Sequence, residues 1–544
     1  MGVQYNFKKS LGQLLLKSGS ITEEMLAFTT KVQQVSRVRI GDIMVRLRFA
    51  TDREIAATVA EQSELEYDPM LVVSSSPEAL AQIPSSVAQK HGLLPLAIEG
   101  EHLKVASIDP IARNSMDRLA RYTSYPLKIV VAPEGRLRRE VQRQYHLVEN
   151  YIEQEIVRIG QAAAAGREFV AEKLMELIMQ SAIEYNATDI HVSPTELATL
   201  ISFRLDGVLQ LCYSLPASAH GRLISVFKVA AGMDIAESNR SNDGHMSFTY
   251  LQERYDLRIS TIPSVIGENM VIRLLSGSQE FLSLQDLGLT SDQIGSTGKI
   301  AGSPHGIVLV SGPTGSGKTT TLYAVLRTIN AMQKNIITIE DPVEYTMPLV
   351  KQVQVNEKAG ITFASSIRSF LRQDPDVLVI GEIRDEETAK LSMRAALTGH
   401  LVFSTVHTND AVGAVIRLRD LGVQDYIIAS TIRGVISQRL LRRLCPHCKK
   451  PSTRKTPWFD LEPGEIYEHV GCSMCRNTGY IGRTVIAEVL QMDPFLTTMI
   501  GEGATISEIQ QAAESRGMRT LNDAGRDLVA DAITDIAEYE RVLG

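Results

Sequence analysis

The chain lacks the sequence features of membrane-spanning, exported and nucleic-acid-binding proteins. No apolar run reaches the roughly 18 residues of a transmembrane helix, and Met1 to Leu16 has no signal-peptide core. Lys and Arg number 56 against 63 Asp and Glu, which gives a net charge of −7, and no block of basic residues occurs. The sequence therefore predicts a cytoplasmic protein without general affinity for polyanions.

Cysteine is scarce, but four of the five cysteines form two close pairs. Cys445 and Cys448 make one C-x-x-C pair, and after 23 intervening residues Cys472 and Cys475 make the second. Without an export signal, this spacing favours a tetrahedral zinc site over disulfides, with unmetallated buried thiols as the alternative. Four thiolates would close the site, so the zinc would be structural. The fifth, Cys212, is predicted to be a core residue.

A phosphate-binding signature occupies residues 312–319, which read GPTGSGKT and fit G-x-x-x-x-G-K-[ST] in full. An apolar strand pattern at 306–310 precedes it and a helix pattern at 319–329 follows. Glycines let successive N–H groups surround phosphate, the Lys318 ammonium reaches the β and γ oxygens, and the Thr319 hydroxyl binds Mg²⁺. The predicted nucleotide-binding residues of the loop are Gly312, Pro313, Thr314, Gly315, Ser316, Gly317, Lys318, Thr319 and Thr320.

Acidic residues follow two further apolar strands. The run at 336–339 leads into Glu340, and the run at 377–380 leads into Glu382. Carboxyl ends of parallel strands face the ligand crevice, so these carboxylates are candidates for orienting water and for holding Mg²⁺. The alternative for each is a solvated loop acid. His407 ends another strand of the same predicted sheet, where it would sense the γ-phosphate or a neighbouring subunit.

These motifs, in this order, resemble those of the secretion ATPases of type II secretion and type IV pilus assembly, the GspE/PilB group. The resemblance covers about 170–544 and rests on the P-loop, residues 336–345, residues 374–385, residues 398–409 and the four cysteines. It implies an α/β RecA-like P-loop ATPase core with a PAS-like α+β second domain. It also implies a homohexamer at the inner membrane, where ATP hydrolysis drives pilin or pseudopilin assembly through a platform protein and a cytoplasmic docking protein.

The resemblance assigns roles to the residues that match the family motifs. Lys318 and Thr319 would bind phosphate and Mg²⁺. Glu340 would activate water and Glu382 would hold Mg²⁺, and an exchange of these two roles stays open.

Further roles fall to arginines and histidines. Arg204 and Arg258 stand where arginines of the family reach the γ-phosphate. His400 and His407 occupy the histidine-box positions, with His400 expected to bind nucleotide. The family's Gln-Asp-Gly-Arg run appears at 242–245 as Asn-Asp-Gly-His, so one arginine is lost.

The N-terminus contains a repeat at an offset of 29, with one copy at 10–33 and the other at 39–62. It resembles the cyclic di-GMP-binding domain of MSHA-type pilus ATPases. Ser10 replaces the leading arginine of the first copy, and Arg48 replaces a glycine of the second. Arg39 keeps the leading position and would contact cyclic di-GMP by stacking on guanine or pairing with phosphate. A plain docking domain is the alternative.

The length predicts three or four domains at about 100–200 residues each. Their expected bounds are an N-terminal domain at 1–145, a linker at 146–168, the second domain at 169–278, the ATPase domain at 279–440, a zinc module at 441–490 and a helical domain at 491–544. A nucleic-acid translocase on the same core is one alternative function, which the charge disfavours. A cyclic di-GMP receptor with a vestigial ATPase is another, which the complete P-loop disfavours.

Overall fold

The computed structural model of the chain describes residues 10–69, 75–109, 119, 121–149, 151–251, 253–276, 282–329, 331–452 and 466–544. These residues form two compact units, the first within 1–41 and 52–280 and the second within 42–51 and 281–544. The predicted boundary at 278–279 lies outside the described residues. Among the described helices, none is both long and apolar enough to cross a membrane.

The two repeat copies fold alike, each as a short glycine-bearing helix followed by a longer one. The helices are α1 (Leu11–Lys17), α2 (Glu23–Ser36), α3 (Ile40–Arg46) and α4 (Asp52–Ser63). The hydroxyls of Ser10 and Thr22 accept hydrogen bonds from the first turns of α1 and α2. Side-chain capping therefore fixes where both helices of the first copy begin.

A small α/β module follows the repeat, in agreement with the mixed pattern of its sequence. Its helices are α5 (Pro77–Leu80), α6 (Ser85–His91) and α7 (Glu134–Glu149), and its strands are β1 (Glu66–Tyr67), β2 (Leu93–Glu99), β3 (His102–Ser107) and β4 (Leu127–Val131). The strands form one sheet in the order β1-β4-β3-β2. Leu94, Val105 and Leu137 are fully buried in its core.

The next domain is an antiparallel sheet with its helices in one shared core. Its elements are α8 (Ile152–Ala164), α9 (Ala171–Glu184), β5 (Asp189–Pro194), β6 (Ala198–Leu205), β7 (Val208–Pro216), α10 (His220–Ala230), β8 (Asn242–Tyr250), β9 (Glu253–Pro263) and β10 (Glu268–Ser276). The sheet order is β7-β6-β5-β10-β9-β8. Residues 152–164 have the composition of a connector, yet Ile152, Ile156 and Ile159 are buried in this core. These isoleucines are buried because their helical spacing places them on one apolar face of the helix. The alanines and polar residues between them make this face hard to recognise from composition.

The second unit contains a seven-stranded sheet in the order β13-β12-β14-β15-β11-β16-β19. Its strands are β11 (Gly306–Ser311), β12 (Ile336–Glu340), β13 (Val350–Gln354), β14 (Val377–Ile380), β15 (Leu401–Val406), β16 (Ile432–Leu444) and β19 (Tyr480–Gln491), and its helices are α11 (Ser291–Ala301), α12 (Lys318–Arg327), α13 (Phe363–Phe370), α14 (Glu386–Leu397), α15 (Ala411–Asp420) and α16 (Asp425–Thr431). All neighbouring strands are parallel except β16 and β19. The central strands are buried on both faces, which explains why their sequences are nearly continuous apolar runs.

Of the four C-terminal helices, the last two pack on the long β16–β19 hairpin, and the first two share a core with α15 and α16. A two-stranded sheet joins β17 (Lys450–Pro451) to β18 (Tyr467–Glu468), and the helices are α17 (Pro494–Gly501), α18 (Ile506–Ser515), α19 (Leu521–Ala530) and α20 (Ile536–Leu543). Two buried carboxylates connect them to the hairpin. Glu538 accepts hydrogen bonds from Arg442 of β16, and Glu488 of β19 accepts from the backbone N–H groups of Ala411 and Leu521.

Candidate active site

The P-loop connects β11 to α12 and has the backbone conformation of a phosphate cradle. Gly312, Gly315 and Gly317 have φ angles of +145°, +79° and +87°, values that favour glycine. A Cβ on Gly312 would lie 2.5 Å from the Ser316 hydroxyl and 2.6 Å from the Gln438 carbonyl oxygen. Gln438 also donates its side-chain amide to the Ser316 carbonyl at 2.7 Å. The loop is therefore held in place by β16, a contact that the P-loop motif alone does not predict.

Lys318 begins α12 and its side chain folds back over the loop. Its Nζ donates to the carbonyl oxygens of Gly312 at 2.9 Å and Pro313 at 3.0 Å. Burial lowers the pKa of Lys318, an effect that the nearby Glu382 carboxylate opposes. Thr319 follows with an exposed side chain. The ammonium and the hydroxyl thus sit at the amino end of a helix, whose dipole favours an anion.

Glu382 and His407 meet beside the P-loop because β15 lies between β14 and β11 in the sheet. The Glu382 carboxylate forms an ion pair with Arg384, and it lies 3.6 Å from Nε2 of His407. Partial burial, together with the charge of Lys318, lowers the pKa of His407, and Glu382 opposes this shift. The structure therefore brings Lys318, Glu382 and His407 together. This agrees with the expectation that residues after the carboxyl ends of parallel strands lie at one edge of the sheet.

Gly381 has a packing role that the sequence motifs do not indicate. A Cβ there would lie 3.2 Å from the carbonyl oxygen of Ile339 and 3.3 Å from the Cα of Glu340. The absent side chain lets the end of β14 pass against the end of β12. This close approach sets the position of Glu382 relative to Glu340.

Glu340 ends β12 and is only 5% exposed. Its carboxylate accepts hydrogen bonds from the hydroxyl of Tyr323, from the hydroxyl of Thr338 at 2.6 Å and from the side-chain amide of Gln352 at 3.1 Å. Sequence reasoning identified Glu340 but none of these donors, because they come from three different elements. The contacts exclude the alternative of a solvated loop acid for Glu340.

His400 lies away from the P-loop. It precedes β15, and its Nδ1 atom lies 3.0 Å from the carbonyl oxygen of Ala395 and 3.3 Å from the Thr398 hydroxyl. The P-loop lies at the opposite, carboxyl edge of the sheet, one strand length of roughly 20 Å away. The structure therefore does not bring His400 to the nucleotide-binding loop of its own chain.

The predicted arginines lie in the first unit, on the sheet face opposite its core. Direct cross-strand pairing sets Arg204, Asp189, Arg273, Arg258 and His245 side by side across β6, β5, β10, β9 and β8. The Asp189 carboxylate contacts Arg273 at 3.0 Å and Arg204 at 3.6 Å, while Arg258 is exposed. Within this row one carboxylate lies among three guanidinium groups, and the resulting excess of positive charge in the row suits a phosphate.

The four paired cysteines converge at the end of the β16–β19 hairpin. Their sulfur atoms all lie within 4.8 Å of one another, and the measured Sγ–Sγ separations are 3.7–3.8 Å. A tetrahedron with metal–sulfur bonds of about 2.3 Å has edges of about 3.8 Å, so the cluster could hold a metal ion. Within the cluster, a hydrogen bond from the Cys475 backbone lowers the pKa of the Cys472 thiol to about 7, whereas burial raises the pKa of the Cys445 and Cys448 thiols.

Two residues of the N-terminal repeat have clear partners. The Arg39 guanidinium forms ion pairs with Asp109 at 2.6 Å and Glu134 at 2.8 Å. Arg48 has a φ angle of +60°, the left-handed conformation for which glycine is best suited. Its guanidinium lies 5.8 Å from the centre of the Tyr345 ring. The arginine that departs from the repeat motif thus makes a cation–π contact.

Comparison with known proteins identifies relatives along nearly the whole chain. A model of the Type II/IV secretion system protein family matches residues 163–541, and a model of the MshEN domain matches residues 71–150. The type IV pilus assembly ATPase PilB of Myxococcus xanthus is 35% identical over 552 residues, which cover 97% of this chain and 98% of the relative. The type II secretion system protein E of Xanthomonas campestris pv. campestris is 34% identical over 553 residues, covering 97% of each.

Among solved structures, the ATPase DotB of Legionella pneumophila superposes with a TM-score of 0.52 and covers 68% of this chain and 95% of its own. At 22% identity this likeness concerns the fold alone, and it agrees with the predicted RecA-like core. The MshEN match lies just after the repeat that carries the N-terminal resemblance. The lengths of the matches and the order of the motifs confirm the resemblance drawn from the sequence: the chain belongs to the Type II/IV secretion system protein family.

Proposed function

We propose that this protein is a Mg–ATP-driven motor that powers the assembly of pilin or pseudopilin subunits. The observation that carries the proposal is the convergence of Lys318, Glu382 and His407 on one edge of the sheet, beside a complete P-loop. The names of two relatives that match nearly the whole chain refer to pilus assembly and to type II secretion, and they support a role in assembling filament subunits. Both cover 97% of this chain, so they support the two kinds of filament equally.

The chain's own residues divide the work of hydrolysis. The P-loop N–H groups and Lys318 would hold the β and γ phosphates, and the Thr319 hydroxyl and Glu382 would hold Mg²⁺, which neutralises charge on the transferred phosphoryl group. Glu340 would accept the proton of the attacking water, because its buried carboxylate is held in place by three donors. His407 would stay neutral near pH 7, since its pKa is lowered, and would contact the γ-phosphate.

The arginine row supports a site shared between subunits. Arg204, Arg258 and Arg273 belong to the first unit and the P-loop to the second. An arginine that reaches a phosphate from another subunit stabilises the charge of the transition state. We propose that the protein acts as a homohexamer, in contact with a membrane platform protein and a cytoplasmic docking protein, and that this row serves the P-loop of a neighbouring copy.

Two further ligands complete the proposal. The four cysteines would bind one zinc ion with a structural role, because four thiolates leave no open position for catalysis. The N-terminal repeat would bind cyclic di-GMP through Arg39, a proposal that the repeat and the adjacent MshEN match support. The ligand would have to displace Asp109 or Glu134 from Arg39.

ATP hydrolysis by the full-length protein tests the catalytic assignment. Lys318→Ala should remove nearly all activity, and Glu340→Gln should retain ATP binding but stop hydrolysis, because an amide does not accept the proton. Lys299→Ala, on the surface of α11, is the matched lysine control and should retain activity. If Glu382→Gln stops hydrolysis while Glu340→Gln does not, the two carboxylates have exchanged roles. A wild-type rate that DNA stimulates would favour a translocase instead.

Mixing variants tests the shared site. Arg204→Ala and Lys318→Ala proteins should each be inactive, and a mixture that exchanges subunits should regain part of the activity, because some sites then contain both residues. Mixtures that exchange subunits and stay inactive would contradict arginines acting between copies.

A further inference from the structure

Tyr323 connects the phosphate-binding helix to Glu340. It lies in α12, five residues after Lys318, and its side chain is only 1% exposed. Its hydroxyl donates a hydrogen bond to Oε2 of Glu340. A side-chain hydrogen bond therefore joins the helix that carries the phosphate ligands to the strand that carries the carboxylate.

The three donors leave the Glu340 carboxylate with one defined acceptor position. Thr338 and Gln352 both donate to Oε1, at 2.6 Å and 3.1 Å, and Tyr323 donates to Oε2. A carboxylate offers about four lone-pair positions. With three occupied, the fourth lies on Oε2, the oxygen that Tyr323 also contacts. A water that Glu340 activates would bind to this oxygen.

The Tyr323 ring is itself held in one orientation. It packs edge-on against Tyr345, with ring centres 4.4 Å apart and planes at 78°. Gln352 donates to the Tyr345 carbonyl oxygen at 3.2 Å as well as to Glu340. Burial raises the pKa of Tyr323, so its hydroxyl keeps its proton and remains a donor at physiological pH. Tyr323, Glu340, Gln352 and Tyr345 thus form a closed set of contacts.

We propose that Tyr323 is a positioning residue for ATP hydrolysis: its hydroxyl fixes Oε2 of Glu340 so that the remaining lone pair meets the attacking water. This inference rests on the proposed function, in which Glu340 is the general base. Because Tyr323 and Lys318 belong to the same helix, Tyr323 would hold the carboxylate at a fixed distance from the phosphates that Lys318 binds. A misplaced base lowers the rate of the chemical step far more than it lowers substrate binding.

Tyr323→Phe in the full-length protein tests the inference, because it removes only the hydroxyl. We expect kcat for ATP hydrolysis to fall by about ten- to hundred-fold while KM for ATP changes by less than about two-fold. Counted per folded protein, a fall in kcat at unchanged KM separates positioning of Glu340 from a loss of ATP binding or of the fold.

Tyr539→Phe is the matched control, since Tyr539 is a buried tyrosine of the same unit and its hydroxyl contacts Asn522 at 3.5 Å. It should leave kcat and KM unchanged, and equal thermal unfolding of both variants shows that the fold is retained. Tyr323→Phe with the kcat of the wild type would overturn the inference and leave the proposed function intact. A wild type that does not hydrolyse ATP, or a fully active Glu340→Gln variant, would overturn the proposed function or its base instead.

Discussion

Removing metal from the cysteine cluster should loosen the end of the β16–β19 hairpin while the P-loop stays folded. The hairpin's final strand pair joins Leu444 to Tyr480, and the Cys445 N–H donates to the Gly479 carbonyl oxygen at 2.8 Å. Beyond this point the two C-x-x-C turns are held together by sulfur contacts and by N–H groups that point at the sulfurs. A metal ion bound to the four cysteines would therefore close the loop that leads from one strand to the other.

The size of the effect follows from the loop. Cys445 and Cys472 are 27 residues apart, and closing a loop of that length with a cross-link stabilises the folded form by about 3.5 kcal/mol in the chain-entropy model. Local opening should therefore become about 300-fold more frequent when the metal is lost. Ile466 transmits the change, because it packs on Val529 and Ile536 of the C-terminal helices.

Hydrogen exchange followed by mass spectrometry measures this opening segment by segment. Protein prepared with zinc should contain about one ion per chain, and thiol modification with a chelator should release it. Protection at 466–491 should then fall, while peptides covering β11 and α12 keep theirs. Cys472→Ser should reproduce the loss, and Cys212→Ser, outside the cluster, should not. Metal-free protein with full protection at 466–491 would refute a structural metal site.

Three other predictions concern stability and regulation. Glu538→Ala should destabilise the C-terminal helices by about 3–5 kcal/mol in chemical denaturation, because it leaves the mostly buried Arg442 guanidinium without its carboxylate. Burial raises the pKa of Glu488, so the folded protein binds this proton more tightly than the unfolded chain does. The stability that this proton contributes should therefore fall as pH rises from about 4.3 through the raised pKa. As pH is lowered, the unfolding free energy of the wild type should increase relative to that of Glu488→Gln. For cyclic di-GMP, calorimetry on the full chain should show about ten- to hundred-fold weaker binding by Arg39→Ala, and up to about five-fold tighter binding by Asp109→Asn, which frees the guanidinium from an exposed ion pair. No heat with either protein would leave the docking-domain interpretation.

The parts of the site that were predictable are those that the local chain specifies. The glycines of the P-loop, the strand before it and the helix after it are contiguous, so one motif defines the loop. Glu382 and His407 each end an apolar run, and the rule that parallel strands end at one edge brings them together. The spacing of the two C-x-x-C pairs likewise predicted that the four sulfur atoms form one cluster.

The parts that were not predictable depend on strand order and register. His400 and His407 flank the same strand, but only the direction of β15 in the sheet shows that His400 lies at the far edge. Arg204 and Arg258 are 54 positions apart in sequence, and pairing through β5 and β10 places them in one row with Asp189 between Arg204 and Arg273.

The sequence by itself determined which chemical groups this protein has: a complete phosphate loop, two strand-end carboxylates, four paired thiols and a two-copy repeat. Such features are short-range, because a few consecutive residues fix both the backbone and the side chains that the chemistry requires. Only the tertiary structure decided how Glu340 is held, since Tyr323, Thr338 and Gln352 come from a helix and two strands that pack together only in the folded sheet. A hydrogen bond requires positions accurate to a few tenths of an ångström, and that accuracy comes from packing, which the periodicity of one segment does not encode.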